Sequence, residues 1–307
     1  MLFVDYISKG GLKDNQFSSI QLRLAVFCHD IVMRTIHKAY IVVLLWIIVM
    51  CLYRGRVVEG FDASETSTMD PPVYVINLDK DTERYQEFMN YYDKSDFSKI
   101  PCKRFPAIYG KNVDSESYLA PHAKDEFKTV NTHGYRTKHH QLTHGGMGCF
   151  LSHSLLAKQF LAEHENDDVQ YMVVFEDDTV CKPETKQLLD EYISKAPSDW
   201  DLLSFQQWRL EGEDVNELYK KPSSFWGMGL YVLRKSGAQK LLDEVKNTKI
   251  DGQIDAYLSR MSQQNKMNLY TCKKTLTVDN SKNISNIQTE LQEKNGVDPY
   301  DYFGTPL

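Results

Sequence analysis

Cysteine pairs, internal repeats and a strongly basic charge are all missing from this sequence of 307 residues. The six cysteines include no CxxC pair and no paired Cys/His ligand pattern of the zinc-finger type, which argues against a structural zinc site. None of the nine histidines belongs to an HExxH motif, the helical zinc motif of metalloproteases. With 42% apolar and 25% charged residues, the composition is typical of a globular protein and excludes a disordered or fibrous chain.

The charge is unevenly distributed along the chain. Residues 1–60 carry seven basic and four acidic side chains, a net charge of +3, whereas residues 61–307 carry 29 and 38, a net charge of −9. Nucleic-acid-binding domains present basic surfaces, so an acidic main body predicts no nucleic-acid partner.

One long apolar run is present, the fifteen uncharged residues Ala39–Tyr53. As a helix it would measure about 22 Å, short for a hydrocarbon layer of roughly 30 Å, but flanking basic and aromatic residues suit a membrane interface. We expect a transmembrane anchor at 39–53, preceded by a cytoplasmic segment 1–38 and followed by a linker 54–72. The alternative is a buried helix of a globular domain.

The expected topology places residues 73–307, the main domain, outside the cytoplasm, because basic residues are in slight excess before the run. In a eukaryotic cell this compartment is the lumen of the endoplasmic reticulum or Golgi; for a viral protein the anchor would sit in a host membrane or the virion. A glycosylation sequon at Asn283 matters only in such a compartment.

Strand-like and helix-like segments alternate from Val73 onward, which predicts an α/β domain with a mainly parallel central sheet. Two polar stretches, 109–146 and 209–224, are expected to be loops. The expected strands are 73–76, 103–108, 171–175, 200–205, 225–233 and 267–272, and the expected helices are 81–92, 148–161, 235–245 and 254–261.

The most informative motif is the apolar strand Tyr171–Phe175, which ends in three adjacent acids, Glu176, Asp177 and Asp178. Open α/β sheets bind ligands at the carboxyl ends of their strands. Clustered carboxylates repel one another unless a cation neutralises them, and oxygen ligands suit Mn²⁺ or Mg²⁺ carrying a diphosphate. A solvated acidic turn or helix cap is the alternative interpretation.

A second acidic pair, Asp79 and Asp81, follows the first strand. The DxD spacing matches the nucleophile motif of haloacid-dehalogenase-type phosphatases, in which one aspartate attacks phosphorus and the other is the acid or base. Capping of the helix that follows explains both acids equally well.

Five histidines lie between residues 109 and 146, where a solvated loop is expected. His153 differs, because it follows the glycine-rich stretch 145–148 within a helical pattern. A helix N-terminus behind glycines is suited to phosphate, although a hydrogen-bonded core histidine would give the same pattern.

Four blocks, in this order, resemble glycosyltransferase family 25, which includes bacterial lipooligosaccharide transferases and collagen hydroxylysine galactosyltransferases. The resemblance covers about residues 73–290. The blocks are VYVINLDKDTER (73–84) with RFPAIYG (104–110), LTHGGMGCFLSH (142–153), VVFEDD (173–178), and FWGMGLYVLRKSGAQKLL (225–242) followed by Ile250-Asp251.

This resemblance implies a GT-A-type nucleotide-sugar-binding fold, an inverting mechanism, and Mn²⁺ (or Mg²⁺) that bridges the donor diphosphate. By analogy Asp178 and Asp177 would hold the metal, and Glu176 would orient the metal or the ribose. The general base would be Asp251 or Asp255, expected to share one face of a helix. The remaining donor-site residues implied are Asn77, Leu78, Arg84, Gly148, Ser152 and His153.

The chain departs from the family pattern at three places. Gly146 stands where the family usually has glutamate, and Tyr109 where it has aspartate. No histidine follows His164, so a C-terminal histidine ligand is missing, and Asp279 is a weak substitute.

The function these features predict is transfer of a hexose, for example galactose, from a nucleotide-sugar donor, expected to be UDP-linked, to a hydroxyl of a protein or glycan. Two alternatives stay open at this point. One is the phosphatase that uses Asp79 and Asp81, and the other is an inactive membrane-anchored scaffold of the same fold, which Gly146 would allow.

Overall fold

The computed structural model describes residues 70–134 and 136–280. These residues belong to the second of two units, Met69–Leu307. The expected cytoplasmic segment 1–38, the anchor 39–53, nearly all of the linker 54–72 and the Asn283 sequon lie outside them. Within the described part, no helix combines the length and apolar character needed to span a membrane.

The centre of the domain is an eight-stranded sheet with the strand order β2-β1-β3-β8-β5-β9-β7-β6. A separate two-stranded sheet pairs β4 with β10. The strands are β1 Val73–Asn77, β2 Cys102–Pro106, β3 Tyr171–Glu176, β4 Thr179–Val180, β5 Leu202–Ser204, β6 Arg209–Asp214, β7 Tyr219–Trp226, β8 Leu230–Arg234, β9 Leu269–Cys272 and β10 Val278–Asp279.

The sheet is mixed. Among the described strands three neighbouring pairs are parallel, β1 with β2, β1 with β3, and β5 with β9. The pairs β3–β8, β8–β5, β9–β7 and β7–β6 are antiparallel. The α/β class expected from the sequence is therefore confirmed, and the parallel arrangement holds for the β2-β1-β3 side. Strand β8 departs from the expected parallel arrangement, because it lies between β3 and β5 and runs antiparallel to both.

Six α-helices accompany the described strands. The helices are α1 Thr82–Tyr92, α2 Lys124–His133, α3 His144–Glu163, α4 Thr185–Ser194, α5 Lys235–Thr248 and α6 Ile254–Gln263. Helices α2, α3, α5 and α6 pack in one apolar cluster with Tyr74, Ile76, Met172 and Val174. Helices α1 and α4 pack in a second apolar cluster, so both faces of the sheet are covered.

Strand β3 shows why the sheet is buried on both faces. Its residues alternate sides, so that Met172 and Val174 join one cluster while Val173 and Phe175 join the other. All four are at most 1% exposed. A continuous apolar run is what such a two-sided strand requires, and it ends where the first acidic residue appears.

Three expectations about individual segments were wrong. The single strand expected at 225–233 is two strands, because Gly227 adopts φ 93° between β7 and β8. The stretch 209–224 is not a loop but the hairpin β6–β7, with a register shift at Gly212. The stretch 109–146 contains α2 and the start of α3, together with 3₁₀ turns at Gly110–Asn112, Ser115–Ser117 and Pro121–Ala123.

Candidate active site

Asn77 and Asp177 meet because strands β1 and β3 run parallel and end at the same edge of the sheet. The register pairs Ile76 with Glu176, so the next residues of the two strands lie side by side. Asn77 Nδ2 donates to Asp177 Oδ2 at 2.7 Å and to the Asp81 carbonyl at 3.0 Å. The turn is closed by the Asp81 N–H, which donates to the Leu78 carbonyl at 3.0 Å. The first turn of the domain is thereby fixed to the acidic motif.

Arg84 supplies the positive charge at this edge. It reaches from the first turn of α1 to hydrogen-bond Asp177, and it contacts Asp178 at 3.1 Å. Burial lowers the pKa of Arg84, but the two carboxylates outweigh burial and raise it. The guanidinium is therefore always charged and neutralises part of the acidic motif.

The carboxylates here are more numerous than one arginine can balance. Burial and the neighbouring charge of Glu176 raise the pKa of Asp178 to about 8, and the same two causes raise that of Asp279 to about 6. Burial also raises the pKa of Asp177, against the opposing effect of Arg84. Buried hard oxygen ligands with an excess of negative charge fit a divalent cation of the Mn²⁺ or Mg²⁺ type.

Asp279 joins this cluster from the far end of the domain. Strand β10 pairs with β4 directly after the acidic motif, and the Asn280 N–H donates to the Asp178 carbonyl at 2.7 Å. The structure therefore places Asp279 beside the acidic motif, although the sequence made it only a weak substitute for a C-terminal histidine ligand.

His153 lies on α3 next to Glu176. Its Nε2 is 3.1 Å from Glu176 Oε1, and its Nδ1 is 2.9 Å from the hydroxyl of Tyr231. The imidazole is only 2% exposed. Cys149 lies one helical turn before His153. Its pKa is raised well above the usual value by burial and by the charges of Glu176, Asp255 and Asp178.

Gly148 and Ser152 have a packing role that the sequence did not reveal. A Cβ on Gly148 would lie 2.4 Å from the Ile108 carbonyl and 2.6 Å from the Gly110 nitrogen, so only glycine permits this backbone approach. Ser152 accepts from the Ile108 N–H at 2.8 Å and donates to the Gly148 carbonyl at 2.7 Å. Both residues are buried and act by fixing the segment 108–110 against α3.

The expected shared helix face of Asp251 and Asp255 is wrong, because α6 begins at Ile254 and Asp251 precedes it. Asp251 is 2.5 Å from Arg260 and 3.4 Å from the exposed His122. Asp255 is buried and accepts hydrogen bonds instead of facing solvent.

Both carboxylate oxygens of Asp255 have hydrogen-bond partners. It is 3.0 Å from His139 Nε2 and accepts from the backbone N–H of Gly227 at 2.9 Å and of Ala256 at 2.7 Å. Burial raises its pKa, but the His139 hydrogen bond and charge, followed by the backbone donors, outweigh burial and lower it. The ring of His139 in turn stacks on Trp226 at 4.2 Å between centroids.

Gly227 and Gly229 connect the Asp255 side to the acidic motif. Gly227 donates to Asp255, while the Gly229 carbonyl accepts from the Glu176 N–H at 2.9 Å and from the Thr179 hydroxyl at 2.7 Å. Two residues of chain span at most about 7 Å, so Asp255 and Glu176 border the same region.

The arrangement of Asp79 and Asp81 differs from a phosphatase site. Asp79 is 79% exposed and pairs with Arg104 at 2.6 Å. Arg104 also donates to Asn77 Oδ1 at 2.8 Å, so it holds the turn after β1 together. The ion pair with Arg104 gives Asp79 a structural role that does not require a phosphatase site.

The space that a side chain at position 146 would need is filled by Gln253. A Cβ there would lie 2.5 Å from both side-chain amide atoms of Gln253. Gln253 Nε2 donates to the Gln141 carbonyl at 2.9 Å. Gln253 therefore fills the space in front of the glycine.

Sequence reasoning missed three residues of this region, Cys149, His139 and Tyr231. Cys149 lies four residues before the expected donor-site residue His153 on an expected helix, which was a usable signal. Nothing local indicated that His139 would reach Asp255 or that Tyr231 would reach His153, because these contacts join residues 116 and 78 positions apart.

The part of the chain that carries the acidic motif is similar to known proteins. Residues 70–218 match the family model described as glycosyltransferase family 25 (LPS biosynthesis protein). A glycosyltransferase 25 family member of Anopheles gambiae is 29% identical over 199 residues, which cover 62% of this chain and 31% of that protein. Procollagen galactosyltransferase 1 of Danio rerio is 28% identical over 183 residues, which cover 55% and 28%. The match spans less than a third of the length of these relatives.

A solved structure is also similar to part of the chain. It is a glycosyltransferase involved in the glycosylation of the major capsid of PBCV-1, with a TM-score of 0.31 and 9% sequence identity. The similarity covers 57% of this chain and 66% of that one.

Proposed function

Because residues 70–218 match the model of glycosyltransferase family 25, we propose that the described domain transfers a hexose, for example galactose, from a UDP-linked donor to a hydroxyl group of a protein or glycan. The observation that carries this proposal is the meeting of Asn77 and Arg84 with the acids Glu176, Asp177 and Asp178 at one sheet edge. We further assign the domain to the GT-A type of nucleotide-sugar-binding fold.

The residues present suit the cation that such a donor needs. Asp177 and Asp178 would hold Mn²⁺ or Mg²⁺ through hard oxygen ligands, with Asp279 beside them. A bound divalent cation would offset the negative charge that develops on the departing diphosphate. The chain's own contribution is to fix these carboxylates with Asn77 and Arg84 before the donor arrives.

Arg84 supports diphosphate binding for a second reason. Its planar guanidinium is partly exposed, with 15% of the side chain accessible, at the edge where the diphosphate would lie, and guanidinium groups pair well with phosphate oxygens. The turn Asn77–Leu78 would border the nucleotide, because it leads from β1 directly into the helix that carries Arg84. His153 and Glu176 would line the donor side from α3 and β3, with Gly148 and Ser152 behind them fixing the segment 108–110.

For the inverting reaction that we propose, Asp251 is the better candidate for the general base. The acceptor oxygen forms a bond to the sugar carbon as the bond to the diphosphate breaks, and the hydroxyl proton passes to a carboxylate. Asp255 has its oxygens occupied by His139 and two backbone N–H groups. Asp251 is 18% exposed. Its Oδ1 pairs with Arg260, and its Oδ2 has only the longer, 3.4 Å contact with the exposed His122, which an acceptor hydroxyl can replace.

We also propose that residues 39–53 anchor the protein in a membrane with the N-terminus in the cytoplasm. The domain would then lie in the lumen of the endoplasmic reticulum or Golgi of a eukaryote, or be carried on a host membrane or virion for a virus. The uncharged run of fifteen residues supports this placement.

Transfer of labelled hexose from UDP donors, with Mn²⁺ or with chelator, tests the proposed reaction. Asp178→Asn should abolish transfer, while Asp168→Asn, in the turn before the same strand, should keep it. Asp168 is exposed, and its backbone carbonyl accepts a hydrogen bond from Gln170 Nε2 at 3.0 Å. No transfer by wild-type protein that is shown to be folded would favour an inactive scaffold of this fold.

A further inference from the structure

Cys149, His153 and Glu176 form a cluster of metal-ligating atoms beside the acidic motif. One Cys149 sulfur, one His153 nitrogen and one Glu176 oxygen all lie within 4.8 Å of one another. The spacing of four residues puts Cys149 and His153 on one face of α3, one turn apart, and Glu176 meets them from the end of β3.

The chemistry of this ligand set differs from that of the neighbouring aspartates. Thiolate and imidazole are soft or intermediate ligands that favour Zn²⁺ and similar transition metals, whereas Mn²⁺ and Mg²⁺ favour oxygen. We propose that Cys149, His153 and Glu176 bind a thiophilic divalent cation such as Zn²⁺, separately from the cation held by Asp177 and Asp178.

The surroundings of His153 are those of a metal ligand. Ligating histidines usually donate their other ring N–H to a fixed partner, which sets the orientation of the ring. Tyr231 OH lies 2.9 Å from His153 Nδ1 and provides that partner, leaving Nε2 directed at Glu176. The 3.1 Å separation of Nε2 and the Glu176 oxygen is close to what two ligands of one zinc ion require, about 3.3 Å.

Local charge also favours a cation here. Glu176, Asp178 and Asp255 are all near enough to Cys149 to act on its thiol electrostatically. A divalent cation at the cluster would offset these charges and hold the thiolate form of Cys149. Three protein ligands leave a fourth tetrahedral position for water or a ligand oxygen.

Occupancy of this site has a consequence that rests on the proposed transfer reaction. A Glu176 carboxylate that binds Zn²⁺ is not available to line the donor site. The bound Zn²⁺ would also lie at the sheet edge where we propose that the donor diphosphate binds. Zn²⁺ at micromolar levels should therefore inhibit Mn²⁺-dependent transfer, and Cys149→Ala, which leaves the donor residues in place, should be active and resistant to that inhibition.

Co²⁺ binding to the full chain is the direct test, since a cobalt–thiolate bond gives an intense charge-transfer absorption without donor or acceptor. Wild-type protein should show this band, which should reach its maximum when one Co²⁺ occupies the Cys149 cluster, and Zn²⁺ should displace it. Cys149→Ser should lose the band, while the matched variant Cys102→Ser, another partly exposed free cysteine of the described part, should keep it.

Asp178→Asn separates the binding site from the proposed function. The cobalt–thiolate band should persist in this variant even though transfer is lost. The proposal is overturned if wild-type protein gives no such band, or if the band survives in Cys149→Ser and so arises from other thiols. Failure of transfer in wild-type protein would leave the cobalt result unchanged and would count only against the proposed reaction.

Discussion

Arg84 lies 3.1 Å from Asp178, although the two residues are 94 positions apart in the chain. The contact joins the first turn of helix α1 to the acidic motif at the end of strand β3. The same guanidinium hydrogen-bonds Asp177. A cation bound by these two carboxylates must therefore share them with a permanent positive charge.

Arg84→Gln should bind Mn²⁺ more tightly than wild-type protein in the absence of donor. Removing one nearby positive charge should raise the affinity roughly tenfold, equivalent to about 1.4 kcal/mol. Isothermal titration of Mn²⁺ into both proteins measures the change. Unchanged or weaker binding would show that Arg84 does not compete with the cation.

Asp178→Asn should stabilise the domain at neutral pH when chelator is present. A carboxyl whose folded pKa of about 8 exceeds its unfolded value of about 3.9 is destabilising when ionised, so wild-type stability should fall as pH rises from about 4 to about 8. We expect a gain on the order of 1–3 kcal/mol at neutral pH, after allowance for relaxation and solvent. Urea unfolding of the two proteins across this range measures it, and a loss of stability in the variant would contradict the account.

Gly148→Ala and Gly146→Ala, two changes in the same helix, should have different effects. At Gly148 the added Cβ meets the backbone of Ile108 and Gly110, which cannot move away cheaply, so we expect a loss of more than about 2 kcal/mol. At Gly146 it meets the end of the Gln253 side chain, and the gain in helix propensity of roughly 1 kcal/mol offsets part of the cost. Equal losses in denaturant unfolding would argue against this packing.

Asp255→Asn should lower stability most at neutral pH and progressively less in acid. The pKa of Asp255 is lowered in the folded state, so its contribution is present above the unfolded value of about 3.9 and is lost as pH falls through the folded value. Unfolding free energies of wild-type protein and variant should therefore converge as the pH falls below the unfolded pKa of about 3.9. His139→Gln, which removes the principal hydrogen-bond partner, should show part of the same convergence. A pH-independent difference for Asp255→Asn would contradict the assignment.

The sequence predicted the parts of this fold that local patterns encode. The apolar run of β3, the acids that end it and the helices α1, α5 and α6 were all located from periodicity, because each forms its own hydrophobic face. Strand direction was not encoded in the same way. The apolar residues 230–233 fit a parallel or an antiparallel neighbour equally well, so the reversal at β8 was not predictable.

The site was predictable only where one motif carried it. Glu176, Asp177 and Asp178 are adjacent in sequence and follow an apolar strand. Because open α/β sheets bind ligands at the carboxyl ends of their strands, this position alone predicts a binding site. Contacts such as His139 with Asp255 depend on how the segment 136–143 folds over α6, which no local pattern shows. The shared helix face of Asp251 and Asp255 was inferred only from their spacing of four residues. The helix begins at Ile254 in both the expectation and the structure, so Asp251 precedes it.

The most direct test of the central claim is thermal stabilisation of the full chain by a panel of nucleotide sugars, measured with Mn²⁺ and with chelator, for wild-type protein and Asp178→Asn. Ligand binding to the native state raises its apparent stability. The account predicts a Mn²⁺-dependent shift with one UDP-hexose in wild-type protein and none in the variant. No shift with any donor in folded wild-type protein, or an equal shift in Asp178→Asn, would contradict the assignment of this acidic edge as the donor site.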